Sequence, residues 1–128
     1  MEYQRILIDT SILVDYFRKV DKSKSDLLKI YRKYEDLYIS SITTFELLSG
    51  VNKKNREATE KLLNGFNTIP FNKYIARKAA QIYRDLRHRN KIIEIRDIFI
   101  GATAIYSDLP IKTLNKKHFD RIKQIRVK

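Results

Sequence analysis

The stretch Arg5-Ile6-Leu7-Ile8-Asp9-Thr10-Ser11-Ile12-Leu13-Val14-Asp15-Tyr16-Phe17 decides the fold class. Residues 5–8 are a short apolar run stopped by Asp9-Thr10-Ser11, the pattern of a buried strand. Ile12 to Phe17 then continue as a helix. The same alternation recurs downstream. Ser23 with Asp26 forms a capping-box pattern and predicts a helix whose apolar face is Leu27, Leu28, Ile30, Tyr31 and Tyr34. Residues 37–41 (LYISS) read as a second strand, followed by a short helix from Thr43 to Leu48 closed by Gly50. A further helix spans Asn55 to Leu63, with Gly65 as its left-handed C-terminal glycine. Asn72 caps a longer helix that carries Ile75, Ala79, Ile82, Tyr83 and Leu86 at helical spacing and ends at Asn90. Asp97 opens the next helix, with Ile98, Ala102, Ile105 and Tyr106 inward. Pro110 to Leu114 predict a third strand and Gln124 to Val127 a fourth. Strands alternating with helices imply a parallel sheet covered on both faces. The expected fold is a single-domain α/β/α sandwich over residues 1–128.

Composition agrees with one domain and narrows the chemistry. The chain has 128 residues, 43% of them hydrophobic, close to the roughly 100–150 residues of a typical domain. It has no Cys, which excludes a disulfide scaffold, a thiolate zinc site and a thiol nucleophile. Its only histidines are His88 and His118, so a multi-histidine metal site is excluded too. Isolated Gly50, Gly65 and Gly101 leave no phosphate-cradling glycine loop. No apolar run approaches the ~20 residues of a membrane span, and the N-terminus has no leader or lipid-anchor pattern, so a cytoplasmic location is expected. Lys and Arg number 27 against 15 Asp and Glu, a net charge of +12. Nucleic acid is the usual partner of such a domain; a Lys-rich thermophile surface is the alternative.

In a parallel sheet, ligands sit beyond the carboxyl ends of the strands. Asp9 ends the first strand, Glu46 follows the second, Asn115 follows the third, and Asp97 begins a helix whose N-terminus can point to the same edge. Each has a purely structural reading. Asp9 can cap a helix, Glu46 can close a capping box with Thr43, Asp97 can complement a helix dipole, and Asn115 can serve a turn. Their joint placement is what points to a site. Carboxylates held together resist joint ionisation, and a divalent cation removes that conflict. An all-oxygen set suits Mg²⁺ or Mn²⁺, which take one or two carboxylates plus phosphate oxygens and water. A few acids on a basic protein therefore describe a phosphate-processing site. Asp15 supports such a site from behind or is a surface acid. His118 lies near Asn115 and either touches the site or faces solvent.

Four stretches, in this order, carry a resemblance. They are Leu7 to Tyr16 (LIDTSILVDY), Ser41 to Leu47 (SITTFEL), Ile93-x-x-x-Asp97-x-x-Ile100-Gly101-Ala102-Thr103-Ala104, and Thr113 to Phe119 (TLNKKHF). Across nearly its whole length the chain resembles PIN-domain proteins, most closely the small VapC-type toxin ribonucleases of prokaryotic toxin–antitoxin pairs. The resemblance implies a metal-dependent endoribonuclease. By position, Asp9, Glu46 and Asp97 match the family's metal-binding acids, Thr10 or Ser11 a hydroxyl that helps hold them, and Asn115 a fourth position that is acidic in some members. His118 departs from the pattern, since many relatives carry an acid immediately before the Phe; Asp120 is displaced by two residues. The resemblance also implies a homodimer and a cognate antitoxin, and the apolar helix at 27–34 is rich enough in apolar side chains to be an interface.

On this reading Asp9 and Asp97 bind the ion directly, and Glu46 binds it or orients the attacking water. RNA backbone is held by Lys53, Lys54 and Arg56, by Arg87, Arg89 and Lys91, and by Lys116 and Lys117, each of which is otherwise a solvated surface charge. A non-catalytic RNA-binding module on the same scaffold is the alternative, as is an RNA-processing nuclease of that fold. Retention of the three acids opposes the binding module, because carboxylates weaken phosphate binding unless a metal intervenes.

The charge makes a direct prediction. RNA affinity should fall steeply with salt, each neutralised phosphate adding roughly 0.7–0.9 to the log–log slope. Filter binding across a salt series measures that slope; a flat response would assign the basic surface to something other than nucleic acid.

Overall fold

Parallel pairing joins β1 (Arg5–Ile8) to β2 (Asp36–Ser40) on one side and to β4 (Ile111–Lys112) on the other. A third strand, β3 (Asn67–Ile69), pairs with β2, so the order is β3-β2-β1-β4 and every pairing is parallel. The computed structural model describes residues 4–128. Seven α-helices are interspersed among them: α1 (Thr10–Arg18), α2 (Asp26–Lys33), α3 (Ser41–Gly50), α4 (Lys53–Asn64), α5 (Lys73–His88), α6 (Ile95–Tyr106) and α7 (Lys116–Phe119).

Alternation along β1 separates the two faces. Ile6, Leu7 and Ile8 are all fully buried, but they enter different cores because neighbouring side chains on a strand point oppositely. Leu7 joins Ile111, Ile75, Leu86 and Ile98 from β4, α5 and α6. Ile6 and Ile8 join Ile12, Leu13, Leu27 and Ile30 from α1 and α2. The central strand is thus sandwiched between helical layers, as the apolar run at 5–8 predicts. Within the helix at 27–34, Leu27 and Ile30 are core residues and Tyr31 stacks on Phe66. Most of that apolar face is therefore consumed inside the domain.

Several helix boundaries differ from those expected, for local reasons. Asp21, not Ser23, acts as a cap: it accepts the Ser23 N–H and hydroxyl and holds a turn of 3-10 helix, and α2 begins only at Asp26. The Thr43–Glu46 capping box does not form. Helix α3 starts at Ser41, capped by the Ser40 hydroxyl, which accepts the Ile42 N–H. Thr43 is fully buried instead. Gly65 closes α4 in a right-handed conformation, φ −79°, not a left-handed one. Helix α6 begins at Ile95, which puts Asp97 inside its first turn. Asn72 does cap α5, and Asn90 adopts φ 57° beyond its end. Strand β3 escapes the sequence pattern because Asn-Thr-Ile carries one apolar residue at a sheet edge. The expected strand at 124–127 shrinks to one bridge between Val127 and Ile111, since Gln124 has φ 70°, which breaks an extended run.

Gly101 permits a close approach in the core that holds Leu7. A Cβ there would lie 2.7 Å from Ile122 Cδ1 and 3.8 Å from the Phe119 ring, and both partners are buried. Gly101→Val should therefore destabilise the fold by about 1–3 kcal/mol through overpacking, read as a lower urea midpoint with an unchanged slope. Full stability in that variant would show that the Phe119 segment is free to move away.

Candidate functional site

The carboxyl ends of the strands deliver the acids. Asp9 follows β1, Glu46 lies in α3 just beyond β2, and Thr113 and Asn115 follow β4. Asp97 arrives from the first turn of α6. Asp9, Thr10, Ser11, Asp15, Glu46, Asp97 and Asn115 line an open cavity of about 450 Å³, with Thr113 bonded to Asp9 at its edge. Its wall also includes Arg18, Glu94, Leu114 and His118.

Asp9 is 2% exposed, and its burial is compensated on one oxygen. Oδ2 accepts the Ser11 hydroxyl and the Thr113 hydroxyl, each at 2.7 Å. Each hydroxyl in turn accepts a backbone N–H: Leu114 to Ser11 Oγ at 3.0 Å and Asn115 to Thr113 Oγ1 at 2.9 Å. Two peptide dipoles thereby reach the carboxylate through hydroxyls, and such chains polarise one another. Asp9 Oδ1 has no protein donor among the described residues.

Glu46 is held at both oxygens. Thr10 donates its hydroxyl to Oε1 at 2.9 Å. Having spent its one proton there, Thr10 must accept from Thr43, whose hydroxyl lies 2.9 Å away. Arg96 pairs with Oε2 at 3.2 Å and with Glu94 at 3.6 Å. Asp97 meets a single side chain: its Oδ2 lies 3.0 Å from His118 Nδ1. Asp15 Oδ1 is 3.5 Å from Lys19, and its Oδ2 is buried without a partner.

Burial raises both Glu46 and Asp97 above the ordinary carboxylate range. For Glu46 the Thr10 hydrogen bond and Arg96 oppose that rise, while the charges of Asp9 and Asp97 add to it. For Asp97 His118 opposes it, and Asp9 and Glu94 add to it. The cavity thus carries negative charge that its own cations do not balance.

The expected site residues separate into two groups. Asp9, Thr10, Ser11, Asp15, Glu46, Asp97 and Asn115 share the cavity. Asn115 stands at the start of α7 but makes no side-chain cap. Of the basic residues named from sequence, none lines it. Lys53, Lys54 and Arg56 are exposed on the first turn of α4, Lys91 is exposed in the loop after α5, and Lys116 and Lys117 are exposed at the start of α7. Arg87 stacks on Tyr83. Arg89 is tied to Asp85 and to the Arg121 carbonyl at the end of α5. Arg18, which lines the cavity, and Arg96, which pairs with Glu46, are cations of the site that sequence reasoning passed over; Arg96 stands immediately before Asp97. Thr113, at a strand end, was also passed over as a partner of Asp9.

Among the described residues no three Asp, Glu or His side chains close up into a metal cage of their own. The donor set still suits Mg²⁺ or Mn²⁺, which keep several waters and bind through one or two carboxylates plus phosphate oxygens. Asp9 and Asp97 each anchor one oxygen and leave the other without a protein donor, and the unbalanced charge of the cavity favours a cation.

A PIN-domain family model matches residues 6–125. Ribonuclease VapC1 of Methanocaldococcus jannaschii is 34% identical over 131 residues, covering 99% of this chain and 88% of that protein. Ribonuclease VapC10 of Mycobacterium tuberculosis is 35% identical over 121 residues, covering 94% of this chain and 90% of that protein. Among solved structures, VapBC2 from Rickettsia felis, bound to a DNA fragment from its promoter, superposes with a TM-score of 0.81 at 25% identity and covers 98% of each chain.

The raised acids predict a pH effect on stability. A carboxyl whose folded pKa lies above its unfolded value binds protons more tightly in the folded state. The stability it contributes is present below the unfolded pKa and is lost as pH rises through the folded one. Asn at position 97 cannot ionise and escapes that loss. In metal-free buffer the melting temperature of Asp97→Asn should therefore exceed that of the wild type by a margin that grows between about pH 4 and pH 7. A margin that is constant or shrinks over that range would show that Asp97 ionises in the fold without strain.

Proposed function

The chain belongs to the PIN-domain family, and we propose that it is a Mg²⁺- or Mn²⁺-dependent endoribonuclease, the toxin of a VapBC-type toxin–antitoxin pair. One observation carries this reading: Asp9, Glu46 and Asp97, from three distant stretches, line one open cavity at the carboxyl edge of a parallel sheet. That cavity opens on a chain of net charge +12. Its partners are an RNA substrate, a cognate antitoxin protein and a second copy of the chain. The relatives named ribonuclease VapC and the solved VapBC complex support the substrate and the antitoxin. Among the described residues no helix is long and apolar enough to cross a membrane, which accords with work in the cytoplasm.

Asp9 and Asp97 would hold the ion through the oxygens their protein donors leave free. When bound, the ion supplies positive charge against the phosphate oxygens and promotes ionisation of the attacking water. The chain's own contributions are positional and electrostatic. Ser11 and Thr113 fix the Asp9 carboxylate, so its free oxygen keeps one orientation. Glu46 would take the proton of the water that adds to phosphorus, while the departing sugar oxygen takes a proton from solvent as its bond to phosphorus breaks. Burial raises the Glu46 pKa and so makes it a stronger base than a surface carboxylate, while the Arg96 ion pair opposes that rise. Arg18, on the cavity wall, and Arg96, beside it, face the negative phosphodiester. Lys53, Lys54, Arg56, Lys116 and Lys117, on more distant surface, hold the flanking backbone by unspecific attraction.

Asp9→Asn and Asp97→Asn each delete one charge and keep the shape. Both should lose RNA cleavage by about 100-fold or more, the order expected when an electrostatic stabiliser of the transition state is removed, while their far-UV spectra stay native. EDTA should do the same to the wild type, and Mn²⁺ should reverse it. Asn115→Ala removes only a neutral contact and should cost less than Asp97→Asn. Cleavage of total RNA at wild-type rate by both folded Asp variants would end the metal-site reading.

A further inference from the structure

Asp97 and Asp9 are both buried at this edge, yet they are stabilised unequally. Asp9 has two hydroxyl donors on Oδ2. Asp97, 9% exposed, has one side-chain partner, His118 Nδ1 at 3.0 Å, and no other protein donor reaches it among the described residues. An ionised carboxylate only accepts hydrogen bonds, so Nδ1 carries the hydrogen and Nε2 does not need to.

The contact is built by packing. His118 lies on α7, a single turn of helix that ends on fully buried Phe119. Phe119 and Ile122 pack on Gly101. Gly101 is one helical turn beyond Asp97 on α6, so the two share a face. Seating α7 on Gly101 therefore brings the residue before Phe119 over the Asp97 carboxylate. Asp120, one residue beyond Phe119, is exposed and takes no part in the cavity wall.

We propose that His118 is a positioning residue: by donating Nδ1–H to Asp97 Oδ2 it fixes that carboxylate so that the other oxygen faces the ion. This rests on the reading of Asp97 as a metal ligand. The role is the one Ser11 and Thr113 perform for Asp9, and such partners typically tune metal affinity by 10–100-fold.

The test compares wild type with His118→Ala, His118→Asn and His118→Gln. Mn²⁺ binding is followed by calorimetry and by the loss of the free-ion EPR signal, and RNA cleavage is followed at limiting and saturating Mn²⁺. The Asn amide places an N–H near the position of Nδ1, whereas the Gln amide reaches toward Nε2. His118→Ala and His118→Gln should bind Mn²⁺ about ten-fold more weakly, with cleavage largely recovered at saturating Mn²⁺. His118→Asn should restore affinity to near the wild-type value. Wild-type Mn²⁺ affinity in His118→Ala would overturn the proposal, and so would His118→Asn binding as weakly as His118→Ala. Those results, with a wild type that binds Mn²⁺ and cuts RNA, would leave the nuclease reading standing; a wild type that does neither would overturn both.

Discussion

Like charges held in one cavity resist joint ionisation, and the hydrogen bonds around Asp9, Glu46 and Asp97 answer that constraint residue by residue. Asp9 receives two hydroxyls backed by the peptide N–H groups of Leu114 and Asn115. Glu46 receives Thr10 on one oxygen and Arg96 on the other. Asp97 receives His118. These donors come from both sides of the sheet and from the far end of the chain, so the same bonds that make the acids tolerable also tie β1 to β4 and α6 to α7. Compensation remains incomplete: burial and mutual repulsion still raise Glu46 and Asp97.

The architecture supplies the rest. In a parallel sheet every strand ends at the same edge, and the polar residues that follow the strands gather there without further design. Splitting of Leu7 from Ile6 and Ile8 between two cores holds the central strand on both faces. Asp9, between β1 and α1, thus stands on a rigid base. Rigid support is what lets a carboxylate present one oxygen in a constant direction.

Much of this was legible in the primary structure. The run Ile6-Leu7-Ile8 announces a strand buried on both faces because it has no polar alternation. Asp9, Glu46 and Asn115 each follow a strand, so the edge rule collects them once the sheet is parallel. What escaped has physical causes. Strand β3 contributes backbone pairing more than apolar surface, so Asn67-Thr68-Ile69 carries almost no hydrophobic signal. The Thr43–Glu46 spacing suggested a local capping box, but Ser40 had already taken the cap and released Glu46 for Thr10. The basic residues named from sequence lie in clusters, while Arg96 stands alone between Ile95 and Asp97 on α6 and Arg18 lies at the end of α1, where it reads as a helix-end charge. Arg89 looked like a free surface charge and is a helix-end clamp. Contacts such as Thr113 with Asp9, 104 positions apart, leave no trace in local pattern.

That separation has a consequence in time. Asp9 is made 104 residues before the hydroxyl of Thr113, and the imidazole of His118 follows later still. At roughly 5–20 residues per second, several seconds pass between Asp9 and its partner Thr113. Throughout that interval β1 lacks its β4 neighbour, and Asp9 lacks one of its two donors. A growing chain on the ribosome, surrounded by RNA, therefore has no assembled cavity. Assembly comes only when the stretch around Thr113 and His118 folds back onto the stretch around Asp9, so the cavity is completed by the latest of its own residues to be made.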